Sequence, residues 1–311
     1  MNCLLADIGG TNTRCAVTSA DGEIQNIRLF RNCEFSDLAS LLETYLQNIE
    51  VGESPRQGVL AVAAPIRGDF VHMINIQWQF SASSLQNQLS FQKLRLLNDF
   101  EALANALPEF GHADLLKIGS GESETDKPKA VLGPGTGLGV AGLIPSKPGW
   151  QAVSGEGGHV SLPPADEHEA EIVLRVQKQY GHCSAERLIS GPGLSLLHSI
   201  LHGAAPLPAE EIGRLASEGD HQANQSLEHF FRFLGTVAAN LALTFGAFGG
   251  IYIGGGIIPR HAKKFAASGF RERFEAKGRY GGYLGSIATY LIMAEQPTLN
   301  GLAVCARESD Y

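Results

Sequence analysis

Two segments, far apart in this chain, carry the same pattern: an apolar run, a tight turn of glycine and threonine, then a second apolar run. The first is Leu4-Leu5-Ala6-Asp7-Ile8-Gly9-Gly10-Thr11-Asn12-Thr13-Arg14; the second is Ala130-Val131-Leu132-Gly133-Pro134-Gly135-Thr136-Gly137-Leu138-Gly139-Val140. Each reads as strand, turn, strand. Turns of this kind present backbone N–H groups and hydroxyls with no Cβ in the way, which suits phosphate oxygens. Two copies in one chain point to two α/β lobes, each opening with the same hairpin, and to a nucleotide phosphate tail gripped from two sides.

The 311 residues leave room for about two domains. Apolar residues make up 44% and charged residues 18%, a balance that supports packed cores rather than disorder. The net charge of −8, with no cluster of Lys and Arg, argues against nucleic-acid binding through a phosphate-neutralising patch. The five cysteines (Cys3, Cys15, Cys33, Cys183 and Cys305) are scattered and form no C-x-x-C pair. That fits reduced thiols in the cytosol better than a disulfide framework or a zinc cage. No basic stretch followed by an apolar core marks a signal peptide at the N-terminus.

One uncharged run, Leu234 to Ile258, is long enough to span a bilayer. It contains Asn240, two threonines and the triplet Gly254-Gly255-Gly256, which break such a span. The better reading is a buried helix ending near Phe248, a short strand Ile251-Tyr252-Ile253 and a glycine turn, so no membrane partner is expected.

Periodicity places strands near 3–8, 13–18, 23–30, 58–63 and 94–97, with helices at about 37–50 and 99–107. In the second helix Phe100, Leu103, Ala104 and Leu107 share one face, and Pro108 ends it. Three hairpin-linked strands, then a helix and another strand, predict a mixed sheet. The polar segment 119–129 reads as a loop. Helices follow at about 166–180, 185–189, 192–202, 208–218 and 222–248, then a strand near 286–291 and a helix at 298–307.

Several polar residues stand where chemistry can use them, each beside a plainer reading. Asp7 ends the first strand next to Gly9-Gly10-Thr11. A carboxylate beside a phosphate loop makes sense with a cation between them, and Mg²⁺ takes a carboxylate or two, waters and phosphate oxygens; the plainer reading is an ordinary Asp/Gly turn. Gly137 to Gly142 fits G-x-G-x-x-G, but a dinucleotide site needs a helix next, and Val140 to Ile144 is a short apolar run cut by Pro145. A strand is expected there, which rejects that reading. No G-x-x-x-x-G-K-[ST] occurs, which excludes common P-loop enzymes.

Asn98 is a good N-cap, and Asp99 and Glu101 suit the first turn of a helix; the same geometry lets Asp99 accept a proton from a substrate hydroxyl. Glu156 and His159 lie three residues apart on a glycine-rich backbone, Gly155-Glu156-Gly157-Gly158-His159. A metal there would need more ligands, and His168, His182 and Cys183 show no recognised spacing. Ser184-Ala185-Glu186-Arg187-Leu188 starts a helix capped by Ser184, where Glu186 either favours the dipole or faces a ligand.

Taken together and in order, these segments resemble the bacterial glucokinases, within the superfamily of actin-like ATPases and hexokinases. The resemblance covers essentially the whole chain. Asp7 to Asn12 is similar to the family's first phosphate motif, Gly135 to Gly139 to the second, and Gly254-Gly255-Gly256 to its adenosine motif. Leu97-Asn98-Asp99-Phe100 resembles the catalytic segment, and 155–159 and 184–188 the sugar-contacting segments. The related repressor/kinase branch carries a C-x-C-G-x-x-G-C zinc motif that this chain lacks, so the resemblance is to the zinc-free branch, and with the first phosphate strand starting at residue 3 no N-terminal DNA-binding extension is expected.

The resemblance implies a two-lobed, ribonuclease H-like α/β fold of mixed sheets flanked by helices, with the active site in the interdomain cleft. It implies a small domain of residues 1–109 with 298–311, a large domain of 110–297, and closure on sugar binding. The implied reaction transfers the γ-phosphoryl of ATP to the 6-hydroxyl of D-glucose. Asp99 would be the base; Asn98, Asp99, Glu156, His159 and Glu186 would bind the sugar. Ala6, Asp7, Ile8, Gly9, Gly10, Thr11, Thr136, Gly137, Gly254, Gly255 and Gly256 would bind the nucleotide, with Asp7 acting on Mg²⁺ through water. A cytoplasmic homodimer in glycolysis is implied by family analogy alone. A kinase for another hexose, or a non-catalytic sugar sensor on the same fold, stands as the alternative.

Overall fold

The structure, a computed structural model, describes residues 2–19, 21–49, 54–73, 76–147 and 149–308. The chain forms two compact units, Met1–Phe110 with Ala294–Tyr311, and Gly111–Met293. Residue 50 of the expected first helix, residues 1, 20, 50–53, 74–75 and 309–311 of the expected small domain, and residue 148 of the expected large domain lie outside the described residues.

The first unit is built on strands β1 (Cys3–Ile8), β2 (Asn12–Thr18), β3 (Ile24–Arg31), β4 (Gln57–Val62) and, after a two-stranded ribbon of β5 (Phe70–His72) and β6 (Gln79–Ser81), β7 (Lys93–Asn98). The five-stranded sheet has the order β3-β2-β1-β4-β7, with β1, β4 and β7 parallel and β2 antiparallel to both neighbours. Alternation along β1 sends Leu4, Ala6 and Ile8 to one face and Cys3, Leu5 and Asp7 to the other.

The first face packs on helix Leu38–Gln47 through Leu38, Leu41, Leu42 and Tyr45. The second packs on helices Asp99–Ala106 and Pro297–Glu308 through Ala102, Leu299 and Leu302. Those two helices approach closely: a Cβ on Gly301 would lie 1.7 Å from the carbonyl oxygen of Ala102. The expected helix 37–50 stops at Gln47, and helix 99–107 stops at Ala106 with a single 3₁₀ turn over Leu107–Glu109.

The second unit holds β8 (Leu115–Ile118), β9 (Lys129–Pro134), β10 (Leu138–Pro145), β11 (Trp150–Gly155), β12 (Ile251–Ile253) and β13 (Thr289–Ile292), in the order β11-β10-β9-β12-β13-β8. Its core is one cluster centred on the long helix His221–Phe245, whose Phe230, Phe233, Leu234 and Ala238 are fully buried. That helix ends three residues before the expected Phe248, because Gly246 adopts φ +58° and closes the last turn onto Ala242. Among the described residues no helix is long and apolar enough to cross a membrane.

The strand expected at 286–291 is shifted to 289–292, and residues 281–286 form a helix. Arg271 explains the boundary. Its guanidinium donates to the carbonyls of Leu284, Gly285 and Ile287, the groups that a helix end leaves without partners.

Candidate active site

In the first unit, hairpin arithmetic puts Arg14 opposite Asp7, in register across β1 and β2. Cross-strand partners share a face, so the guanidinium comes to 3.9 Å from the carboxylate. Asp7 lies on the face that also buries Leu5. Burial pushes its carboxyl from 3.8 up to about 6, and the attraction of Arg14 only partly offsets this.

The turn after β1 is held from outside by Asn32, a buried residue just past β3. Its Nδ2 donates to the carbonyl of Gly9 at 2.8 Å, its Oδ1 accepts from Thr13 Oγ1 at 2.8 Å, and its backbone N–H donates to the carbonyl of Thr11 at 2.9 Å. The N–H of Gly9 is used within the turn, donating to the Asn12 carbonyl at 3.0 Å. Of the residues expected at the nucleotide, Ala6 and Ile8 have fully buried side chains. Their part in any site is confined to the backbone, because the pleat turns them into the core.

Asn98 ends β7 and caps the following helix, its Oδ1 accepting from the N–H groups of Phe100 (3.0 Å) and Glu101 (3.4 Å). Asp99 is the first residue of that helix and accepts from Phe100 N–H through Oδ1. The plainer reading of Asn98 as a cap is thus realised, and it is what holds Asp99 at the sheet edge. Ile8 and Asn98 are both in register with Val62 of the intervening strand. Two strand spacings separate the Gly9–Thr11 turn from the Asn98-Asp99 pair, about 10 Å. Both stand at the carboxyl ends of parallel strands, where α/β sheets bind ligands.

In the second unit the β9–β10 turn is closed by Gly135 N–H donating to Gly137 O, and its Gly135 carbonyl accepts from Gly191 N–H, both at 2.8 Å. The glycine triplet after β12 packs against this turn backbone to backbone. A Cβ on Gly133 would lie 2.5 Å from the carbonyl carbon of Gly254, and one on Gly255, which has φ +82°, 2.3 Å from the oxygen of Pro134. The segments expected at the nucleotide, Thr136-Gly137 and Gly254 to Gly256, are therefore neighbours.

Glu186 links this turn to the other polar residues. Its Oε2 accepts from Leu138 N–H at 2.9 Å, and a side chain at position 137 would meet it, since a Cβ there would lie 2.4 Å away. Its Oε1 stands 3.9 Å from His159 Nδ1, and His159 Nε2 stands 4.0 Å from Glu156 Oε2. Glu156, His159 and Glu186 thus form one row. The chain is zipped into this shape by Ala185 N–H donating to Val160 O and Leu162 N–H to Cys183 O. Sequence reasoning found all three members of the row but missed Asn32, for which nothing in its local pattern gives a signal. Arg14 was within reach, since a hairpin turning at Gly9–Asn12 must pair it with Asp7.

His182 binds Ser161 Oγ at 2.9 Å, His168 packs against His229, and Cys183 is buried, so these three do not converge. Among the described residues no group of three or more His, Cys, Asp or Glu is arranged to hold a metal ion. None of the five cysteines is joined in a disulfide.

A family model described as Glucokinase matches residues 4–309. The glucokinase of Chromobacterium violaceum is 44% identical over 306 residues, covering 96% of this chain and 88% of that protein. The bifunctional protein glk of Paraburkholderia xenovorans is 41% identical over 98% of this chain, which spans only 49% of that longer protein. Among solved structures, glucokinase from an Antarctic psychrotroph superposes with a TM-score of 0.85 at 35% identity, covering 99% of each chain. A ROK family glucokinase from Streptomyces griseus, in complex with glucose and AMPPNP, shares the fold at 17% identity, with a TM-score of 0.69 over 99% of this chain and 100% of that one.

Proposed function

This chain belongs to the glucokinase family, and from that premise we propose that it transfers the γ-phosphoryl of ATP to the 6-hydroxyl of glucose, giving glucose 6-phosphate and ADP. The observation that carries the reading is the position of Glu186. One carboxylate closes the second phosphate turn through Leu138 N–H and also heads the row with His159 and Glu156. A group that accepts sugar hydroxyls and a turn that takes phosphate are thereby fixed to each other within one unit.

In this reading Glu156 and Glu186 accept protons from sugar hydroxyls, and His159 donates or accepts between them. A site of this kind rejects a hexose with a missing or inverted hydroxyl, because its own polar atoms are left unpaired; the penalty reaches about 10⁴-fold. Asn98 holds a further hydroxyl, and Asp99 takes the proton of the attacking 6-hydroxyl. A base so placed contributes about 10²–10⁴-fold. Phosphoryl transfer has a loose transition state, so positioning by the Gly9-Gly10-Thr11 and Thr136-Gly137 turns carries much of the rest.

The donor chemistry around Asp7 fits a hydrated Mg²⁺: a single carboxylate, under-solvated and incompletely neutralised by Arg14, beside a phosphate turn. Bound there through water, the ion would neutralise phosphate charge. By family analogy the protein acts as a cytoplasmic homodimer supplying glycolysis.

The test is ADP release with ATP and Mg²⁺ across a panel of hexoses. Glucose is expected to turn over far faster than fructose or N-acetylglucosamine. Asp99→Ala is expected to cut kcat by about 10²–10⁴-fold while ADP affinity stays within a factor of two or so. A fast rate with another hexose would reassign the substrate, and equal loss of turnover and nucleotide binding in Asp99→Ala would make residue 99 structural.

A further inference from the structure

A cavity of about 760 Å³ opens beside the first phosphate turn, lined by Gly10, Thr11, Asn12, Arg31 and Trp78 among others. Among the described residues of that lining, Arg31 is the cation. Among the described residues it forms no ion pair, whereas Arg14 on the neighbouring strand is matched with Asp7.

Its position is set by the fold. β3 is antiparallel to β2, which is antiparallel to β1, so β3 runs parallel to β1 and its carboxyl end emerges at the same sheet edge as Gly9–Thr11. Arg31 pairs in register with Asn12, and the next residue donates its N–H to the carbonyl of Thr11. The side chain of Asn32 turns inward to Gly9 and Thr13. Arg31, the last residue of β3, is exposed and shares a face with its exposed cross-strand partner Asn12.

Along this edge the order is Arg31, Asn12, Ile8, Val62, Asn98. The first turn lies between the two, with Asp99 about 10 Å away on one flank and the backbone of Arg31 one strand spacing, about 5 Å, away on the other. On the kinase reading, the transferred phosphoryl moves toward the Asp99 flank. A cation on the opposite flank then faces the phosphates that stay behind.

We propose that Arg31 is a nucleotide-binding residue that holds the non-transferred phosphates of ATP and of the product ADP. The inference rests on the kinase reading for the identity of the anion. A guanidinium suits the task because its planar fork offers two parallel N–H groups to two phosphate oxygens in a fixed geometry, whereas an ammonium acts as a point charge.

Titration calorimetry of wild type, Arg31→Gln and Arg31→Lys with ADP, adenosine and glucose tests it, alongside steady-state kinetics and thermal melts. Arg31→Gln is expected to bind ADP about five- to twentyfold more weakly, the usual range for one exposed charge-assisted contact. Adenosine and glucose affinities and the melting temperature are expected to hold, and KM for ATP to rise without KM for glucose. Arg31→Lys should recover part of the loss, and the loss should shrink at high salt. Unchanged ADP affinity in a folded Arg31→Gln protein overturns the proposal, as does a rise confined to KM for glucose. A wild-type protein that binds ADP through Arg31 but phosphorylates no hexose would support this contact and refute the kinase reading instead.

Discussion

Replacing Asp7 by Asn should make the metal-free, nucleotide-free protein more stable at pH 8. The Asp7 carboxyl lies on the inner face of β1, and burial raises it from 3.8 to about 6 against the pull of Arg14. The folded state therefore holds this proton more tightly than the unfolded chain does. Its favourable contribution is complete below about pH 3.8 and is lost as the pH rises through about 6.

At pH 8 the carboxylate is ionised in a place that disfavours charge, at a cost of about 3 kcal/mol. Asn keeps the shape and stays neutral, so it avoids that cost. At roughly 2–4 °C per kcal/mol for a unit of this size, the melting temperature should rise by about 6–12 °C. The gain should fall to about half at pH 5 and to less than about 1 kcal/mol at pH 4.

Thermal and urea melts of both proteins in EDTA at pH 8, 5 and 4 measure this. A variant less stable than wild type at pH 8, or a gain that ignores pH, would falsify the account of Asp7 as a charge held in place for a cation. In kinetics the same substitution should raise KM for ATP and Mg²⁺, so stability and activity move in opposite directions.

Two further substitutions probe the turns. Asn32→Ala strands the buried Thr13 hydroxyl and the Gly9 carbonyl, each at about 1–3 kcal/mol; urea melts should show a loss of at least ~2 kcal/mol, and calorimetry a weaker hold on ADP. Gly133→Ala drives a methyl into the backbone of Gly254 and should cost about 1–3 kcal/mol and weaken nucleotide binding. Gly135→Ala, where a Cβ meets nothing within 4 Å, should leave stability within ~0.5 kcal/mol; equal losses at both positions would refute the packing argument.

The chain's local chemistry was sufficient for much of this protein. The paired glycine-threonine turns announced the two hairpins, because strand–turn–strand segments form through contacts close in sequence. The Asn98 cap and the Ser184 cap follow from backbone groups and side chains within a few residues of one another. Short pieces lay beyond such reasoning. β8, the ribbon of β5 and β6, and the helices between 262 and 286 are too brief for periodicity to register, and they form because tertiary packing buries them. The 281–286 helix is an example: it is stopped by an arginine ten residues earlier that finds its carbonyls only after folding.

At the candidate site the residue types were visible, but their electrostatics were not. Asp7 is under-solvated because β4 and a C-terminal helix nearly three hundred residues away complete the face on which it lies. Asn32 reaches Gly9 because β3 returns beside β2, and Glu186 meets Leu138 because two distant segments are zipped together. A sequence states which donors and acceptors a chain owns. Which of them are buried, paired or left facing a cavity depends on long-range register and packing, and those are settled only when the sheets assemble.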